Sequence, residues 1–282
     1  MRLNGRLVLI TGASSGIGAA TATAVAREGG IPIMLARRAD ALDAVADAIM
    51  DMDGVAYTYP VDLADPDAVA ETCRRIRAEA GVPDVIVNNA GAGRWQSLVE
   101  TGAEDAAQMM AVPVLAAMNV TRAFLPDMVA RGNGRIVTVN SVAGGLVWPN
   151  ACGYITARHA LSGWVDALRS ELHGSGVTVS ETVLGTVESP YWTHNPGSRD
   201  HVPKGIPGLM PVLSVDAAAG HVLAAIRRAP RRRVAPPAFR MLFAMRAMVP
   251  AAADAMMRQR VATSAAANAS ALSGAPSRAP QT

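Results

Sequence analysis

Lysine is nearly absent from this 282-residue chain: of its 26 basic residues only Lys204 is not an arginine. Its cations are therefore fixed guanidinium charges, suited to holding anions but not to giving up a proton readily. Cysteine is scarce too. Cys73 and Cys152 are too few for a disulfide framework, and no charged region leading into an apolar core and cleavage site stands at the start. The expected setting is reducing and cytoplasmic. No uninterrupted run of eighteen apolar residues occurs, so a spanning helix is not expected. No spaced set of ligands supports a metal site, and His159 and His194 read as helix and loop residues. The net charge of +3 gives no reason to expect a nucleic-acid partner. Seven arginines fall between Arg227 and Arg246, which fits either a solvated helix face or contact with an anionic surface. Half of the residues are hydrophobic, enough for one large core, and a single α/β domain is the economical arrangement.

What is present begins with an apolar run, Leu7 to Ile10, that leads into Thr11-Gly12-Ala13-Ser14-Ser15-Gly16-Ile17-Gly18 and an alanine-rich helical segment, Ala19 to Glu28. Strand, glycine turn and helix start in that order make a phosphate-binding turn. Glycines let a ligand approach the backbone, and the helix start offers unpaired N–H groups. An ordinary strand-to-helix turn has the same composition, so the reading needs support from elsewhere. Ile31 to Ala36 is a second strand and Asp40 to Met50 a second helix, completing a βαβ unit. At the end of that strand an acid would hold a ribose 2′-hydroxyl, whereas Arg37 and Arg38 suit a 2′-phosphate, which favours NADP(H) over NAD(H). A third strand, Ala56 to Val61, ends at Asp62-Leu63, and a helix follows from Pro66 to Ala80. Asp62 fits either a contact to an adenine amino group or a turn or cap.

A fourth strand, Asp84 to Val87, runs into Asn88-Asn89-Ala90-Gly91. Two amides and a glycine after a buried strand are costly unless their hydrogen bonds are met, so they are read as ties across the sheet's carboxyl edge beside the ligand. Helices are expected over Ala103 to Met118 and Val120 to Ala130, then a strand from Arg135 to Val139 ending at Asn140-Ser141. Tyr154 lies thirteen residues beyond Ser141 at the start of a helix reaching about His173, and Arg158 follows Tyr154 by one helical turn on the same face. A hydroxyl, a phenol and a fixed cation beside a nucleotide fold form a proton-donating site for a carbonyl. The cation favours the phenolate, and the serine orients the substrate oxygen.

With these motifs in this order and spacing, the chain resembles the short-chain dehydrogenase/reductase family from about residue 5 to residue 230. The resemblance implies an α/β, single-domain Rossmann fold: a doubly wound parallel sheet of about seven strands with helices on both faces. It also implies a nicotinamide cofactor across the sheet's carboxyl edge. Gly12, Ser14, Ser15, Gly16, Ile17 and Gly18 would take the pyrophosphate, and Arg37 and Arg38 the 2′-phosphate. Asp62 with Leu63, and Asn88, Asn89, Ala90 and Gly91, would line the cofactor's course, which ends at Tyr154, Arg158, Gly185, Val187 and Ser189. Hydride would pass between nicotinamide C4 and the substrate carbinol carbon, with Tyr154 as general acid in reduction and base in oxidation. The helices at about 104–130 and 154–173 would pair subunits into a homodimer or homotetramer.

Three positions depart from the family pattern. Arg158 stands where the family has lysine; it keeps the charge and can donate to ribose hydroxyls, but it cannot readily relay protons. Pro113, eight residues before Thr121, stands where the family's catalytic asparagine is expected; it keeps a carbonyl and imposes a kink of its own. Asn119, six residues on, would point elsewhere on a helix. Leu184-Gly185 replaces Pro-Gly, a mild change.

Residues Pro190 to Leu213, within a region of about 188–213, read as a substrate lid. Tyr191 and Trp192 in it, with Trp95 and Trp148 on neighbouring loops, favour an apolar, cyclic ketone or secondary alcohol; filling core beneath loops would use the same residues. A helix from Val215 to Arg228 and a strand from Arg233 to Ala235 complete the domain at residue 235. Residues 236–261 form an amphipathic helical extension that could pack on its own domain, on a second subunit or on a membrane surface, in that order of preference. Residues 262–282 are Ala/Ser/Pro-rich and expected to be disordered. The function expected is an NADP(H)-dependent oxidoreductase. Two alternatives remain open: an NADP-binding protein with little redox activity, and another reaction such as imine reduction.

Overall fold

In the computed structural model, residues 1–202 and 209–258 are described. Part of the expected lid, 203–208, and the tail expected to be disordered, 262–282, lie outside the described residues. Short runs rich in Val, Ile and Leu become strands buried on both faces, and the alanine-rich segments between them become helices. The order is β1 Leu7–Thr11, α1 Gly16–Arg27, β2 Ile31–Ala36, α2 Ala39–Met50, β3 Tyr57–Pro60, α3 Pro66–Glu79 and β4 Val85–Asn88. The second half adds α4 Ala103–Met110, α5 Ala116–Ala130, β5 Gly134–Ser141, α6 Cys152–Glu171 and β6 Val177–Leu184. The region expected to be a lid follows, with β7 Val187–Glu188, α7 Tyr191–His194, α8 Ser198–His201 and β8 Leu213–Ser214. The chain then forms α9 Val215–Arg228, β9 Arg232–Ala235 and α10 Phe239–Met248.

Seven strands pair in parallel in the order β3-β2-β1-β4-β5-β6-β9, a doubly wound Rossmann sheet. Alternation along each strand divides the core into two layers. Val8, Ile10, Val85 and Val87 pack with Ala22 and Val25 of α1, Leu42 of α2 and Val222 of α9. Leu9, Ile86 and Ile136 face the other way, toward Ile76 of α3, Phe124 of α5 and Val165 of α6. Because β1 lies between β2 and β4, the chain winds away in opposite directions from it, which opens a crevice at the carboxyl ends of β1 and β4.

Two expectations about helices need correction. The segments 103–118 and 120–130 are one continuous run of 28 residues, interrupted only by a π turn at Ala111–Leu115. Pro113 sits in that turn: it has no N–H to donate and its ring crowds the preceding turn, so the backbone widens locally to an i→i+5 pattern. The run is long and apolar enough to span a bilayer, yet its apolar face, Ala116, Val120, Phe124 and Met128, lies in the core. Likewise, the extension expected over 236–261 is not one helix in its described part: α10 stops at Met248, Val249 leaves helical geometry, and helix resumes over 250–258, because Pro250 disfavours helical backbone in the residue before it.

The packing of α1 against the first turn leaves no room for a side chain at Gly18, where a Cβ would lie 2.2 Å from the Gly12 carbonyl oxygen. Backbone atoms on both sides cannot move apart cheaply. Gly18→Ala is expected to destabilise the fold by about 3 kcal/mol or more, read as a lowered urea midpoint.

Candidate active site

The turn after β1 is held open by its neighbours. Thr11 Oγ1 accepts from the backbone N–H groups of Asn89 and Ala90, both at 3.0 Å, and Asn89 Nδ2 donates to the Thr11 carbonyl at 2.9 Å. These bonds tie the ends of β1 and β4 together, as the amide pair after a buried strand required. Gly12 adopts φ +68°, and a Cβ there would lie 2.9 Å from Ala90 Cα. At the start of α1, Ser15 makes no side-chain cap and the first turn carries no acid, so the first N–H groups face the crevice without a protein acceptor.

A cavity of about 760 Å³ runs along the carboxyl edge from this turn to the segment after β6. Its wall includes Gly12, Ser14, Ser15, Gly16 and Ile17 at one end, with Arg37, Arg38, Asp62 and Leu63 around them. Arg38 reaches Ser14 Oγ at 3.4 Å, and both arginines are exposed at the rim. Asp62 also accepts the Ala64 N–H at 3.0 Å, while the cap of α3 is Asp65. Further along come Asn89, Ala90, Gly91, Ser141, Tyr154, Arg158, Gly185, Val187 and Ser189. Two residues grouped with the cofactor set stand outside this wall. Gly18 is buried under Gly12, and Asn88 is 4% exposed with its Nδ2 donating to Thr121 Oγ1 at 3.0 Å. Both occupy close-packed positions. Asn119 lines a separate cleft between α3 and α5.

Ser141, Tyr154 and Arg158 come together where β5 ends and α6 begins. Ser141 Oγ accepts from the Ala143 N–H at 3.2 Å, which leaves its own proton free to donate into the cavity. Tyr154 packs on Trp95, with ring centroids 5.4 Å apart, and against Met109 in the same apolar cluster. The Arg158 guanidinium carbon lies 4.9 Å from the Tyr154 ring centroid. Arg158 is only 7% exposed, and among the described residues its guanidinium has no hydrogen-bond or ion-pair partner; its Nε is wholly buried and unpaired. Gly91 makes room for it, since a Cβ there would be 2.7 Å from Arg158 Nη2.

The segment expected to be a lid is joined to the loop after β4: Tyr191 donates its hydroxyl proton to the Gly93 carbonyl, and Ser198 Oγ accepts the Trp95 N–H at 3.0 Å. Within the segment, Trp192 Nε1 donates to the Val187 carbonyl at 2.8 Å. Trp95 and Trp148 both line the cavity and belong to the buried core. Sequence reasoning missed several wall residues. Asn140 and Gln108 carried no motif. Phe239, Leu242 and Met257 come from the C-terminal segment, whose apolar spacing was visible but whose partner was not. That segment packs on its own domain: Arg246 Nη1 donates to the Gly145 carbonyl at 3.1 Å.

Comparison with known proteins agrees with this geometry. A model of the short chain dehydrogenase family matches residues 6–198. A probable oxidoreductase of Mycobacterium tuberculosis, EphD, is 34% identical over 268 residues, covering 90% of this chain but 45% of that protein. The chain thus spans about half the length of that relative. Among solved structures, an alcohol dehydrogenase from Thermococcus sibiricus complexed with 5-hydroxy-NADP superposes with a TM-score of 0.71 at 26% identity, covering 82% of this chain and 95% of that one. A short chain dehydrogenase/reductase from Burkholderia phymatum in complex with NAD gives a TM-score of 0.78 at 22% identity, with 88% and 95% covered, and speaks for the fold alone.

Burial pushes the Tyr191 phenol far above its ordinary range, the nearby Tyr154 adds to this, and Arg158 opposes it. The folded chain keeps that phenol neutral where the unfolded chain ionises it, so Tyr191 lowers stability as pH rises above about 10. Tyr191→Phe is expected to flatten the fall of the urea midpoint across the alkaline range; an unchanged slope would contradict the burial of this hydroxyl.

Proposed function

The chain belongs to the short-chain dehydrogenase family, and from that premise we propose that it is an NADP(H)-dependent oxidoreductase acting on an apolar, cyclic ketone or secondary alcohol. The observation that carries this reading is the meeting of Ser141, Tyr154 and an unpartnered Arg158 on the wall of one cavity with the glycine turn. The residues fit a dinucleotide. Gly12 leaves a cradle that a Cβ would close, the start of α1 offers uncapped donors to a pyrophosphate, and Arg158 lacks an acceptor that ribose hydroxyls would supply. When bound, the nicotinamide supplies or accepts a hydride.

The chain's own contributions follow from geometry. Ser141 donates to the substrate oxygen and orients it. Tyr154 gives its phenolic proton to that oxygen in reduction or takes it in oxidation. Arg158, under the Tyr154 ring, stabilises phenolate charge and holds ribose; as a guanidinium it does not relay the proton onward. Trp95, Trp148, Met210 and Leu242 keep water from the reacting carbon and favour an apolar substrate.

Arg37 and Arg38 support the choice of NADP(H), since a guanidinium matches a 2′-phosphate. Hydrogen bonds to charged groups contribute about 1.5–3 kcal/mol each, so Arg37→Ala with Arg38→Ala is expected to raise the NADPH Kd by about tenfold or more and to leave NADH within about twofold. Equal effects on both cofactors would contradict the assignment.

Pro113 and Arg158 favour a second reading, a nucleotide-binding protein with little redox activity. Kinetics on a panel of cyclic ketones separate the two. Under the oxidoreductase reading, Arg158→Met lowers kcat by about 100-fold or more, and Arg158→Lys with Pro113→Asn does not raise it. NADPH binding without oxidation by any ketone, or a large gain in the double variant, supports the second.

A further inference from the structure

A carboxylate lies buried behind the catalytic helix, and nothing in the proposed chemistry uses it. Glu181 of β6 is 0% exposed. It sits on the strand between Val179, which packs in the layer under α3, α5 and α6, and Val183, which packs in the apolar cluster around Tyr154. One carboxylate oxygen accepts from Ser162 Oγ at 2.7 Å and from Asn140 Nδ2 at 2.8 Å. The other accepts from Arg232 Nε at 2.5 Å, on a side chain that is 42% exposed and reaches in from the sheet's edge.

Asn140 carries this contact into the site. Its Nδ2 also lies 3.1 Å from the Arg158 carbonyl oxygen and 2.9 Å from Ser162 Oγ, and its Oδ1 accepts the Ser141 N–H at 2.8 Å. Gly144 leaves the space, because a Cβ there would come within 2.7 Å of both Asn140 Nδ2 and Ser162 Oγ. Burying a carboxylate is costly even when it is paired, and apolar side chains usually stabilise as well or better. Stability alone therefore does not account for a charge at this position.

We propose that Glu181 is a positioning residue for the reaction: through Asn140 it sets the main chain at Ser141 and at Arg158 in register across the gap between β5 and α6. The Glu181 carboxylate and the Arg158 carbonyl both accept from Asn140 Nδ2, which leaves Oδ1 for the Ser141 N–H. An apolar side chain at 181 removes the buried acceptor that anchors Asn140 Nδ2 to β6, and a glutamine can present an N–H there in its place, so Asn140 is held by the Arg158 carbonyl and the Ser141 N–H alone. The serine hydroxyl and the Tyr154–Arg158 pair then lose their fixed separation, although neither is altered. This inference rests on the oxidoreductase reading for its kinetic arm only.

The test uses Glu181→Leu and Glu181→Gln in the full chain, with Ser162→Ala as a milder variant that keeps Glu181 in place. Measurements are Tm, NADPH Kd by fluorescence, steady-state kinetics with a cyclic ketone, and amide hydrogen exchange. The expected result in both Glu181 variants is kcat lower by about tenfold or more, with ketone KM and NADPH Kd within about threefold. The Tm of Glu181→Leu is expected to fall, because Asn140 Nδ2 and Ser162 Oγ lose their buried acceptor, and exchange quickens in residues 139–146 and 155–163 alone. Ser162→Ala, which decides the matter if the Glu181 variants do not fold, is expected to lose about threefold in kcat at unchanged Tm. Parental kcat and parental exchange in these variants would overturn the proposal, as would a kcat loss matched by an equal loss of NADPH affinity. If the parent reduces no ketone, the oxidoreductase reading fails, and the exchange pattern decides the positioning role by itself.

Discussion

A buried guanidinium nitrogen without an acceptor is unfavourable in any fold, and Arg158, 7% exposed between Tyr154 and Gly91, has a buried Nε with no partner among the described residues. Much of the surrounding structure can be understood as what this requires. Residue 91 is a glycine, and a Cβ there would lie 2.7 Å from Arg158 Nη2, so the guanidinium would have to shift. The aromatic ring of Tyr154 offers the cation its nearest protein contact, a π face. The remaining unmet capacity points along the wall of the cavity, where hydroxyl or phosphate oxygens of a nucleotide would satisfy it.

The same economy holds at the other end of the crevice. Gly12, Asn89, Ala90 and Thr11 lie so close that β1 and β4 end in one hydrogen-bonded edge, which leaves the first N–H groups of α1 without a partner. One end thus presents donors and the other a cation, both aimed at anionic or oxygen-rich groups. Between them, Trp95, Trp148 and the C-terminal Leu242 and Met257 make an apolar wall. Two hydrogen bonds join the segment after β6 to the loop after β4, and a third, from Trp192 to Val187, lies within that segment, so its aromatic side chains meet the cavity at set positions.

Local rules read the parallel sheet well. The apolar runs at Ile31–Ala36 and the helix at Val215–Arg228 have the bounds their residues suggest, because burial on both faces and helical spacing leave few alternatives. They read the interruptions less well. A proline inside a helical run signals a kink, but whether the chain breaks or widens into a π turn depends on the packing of Val114 and Ala116 below it. Pro250 divides the last helix for the reason any proline does, yet its effect was hidden within a segment rich in alanine and methionine.

From its sequence alone, the chain's fold class and the glycine turn between β1 and α1 were legible, because each depends on residues near one another or at a helical or strand period. The meeting of Ser141, Tyr154 and Arg158 on one cavity wall, with Arg37 and Arg38 at its rim, was expected from their order and spacing. What only the tertiary structure decided are the contacts between distant segments. Gly18 and Asn88 occupy close-packed positions, Asn140 joins Glu181 to Ser141 and Arg158, and the C-terminal helices close the pocket. Such pairings leave no period in the sequence, since a side chain buried against a partner a hundred residues away looks locally like any other apolar or polar residue.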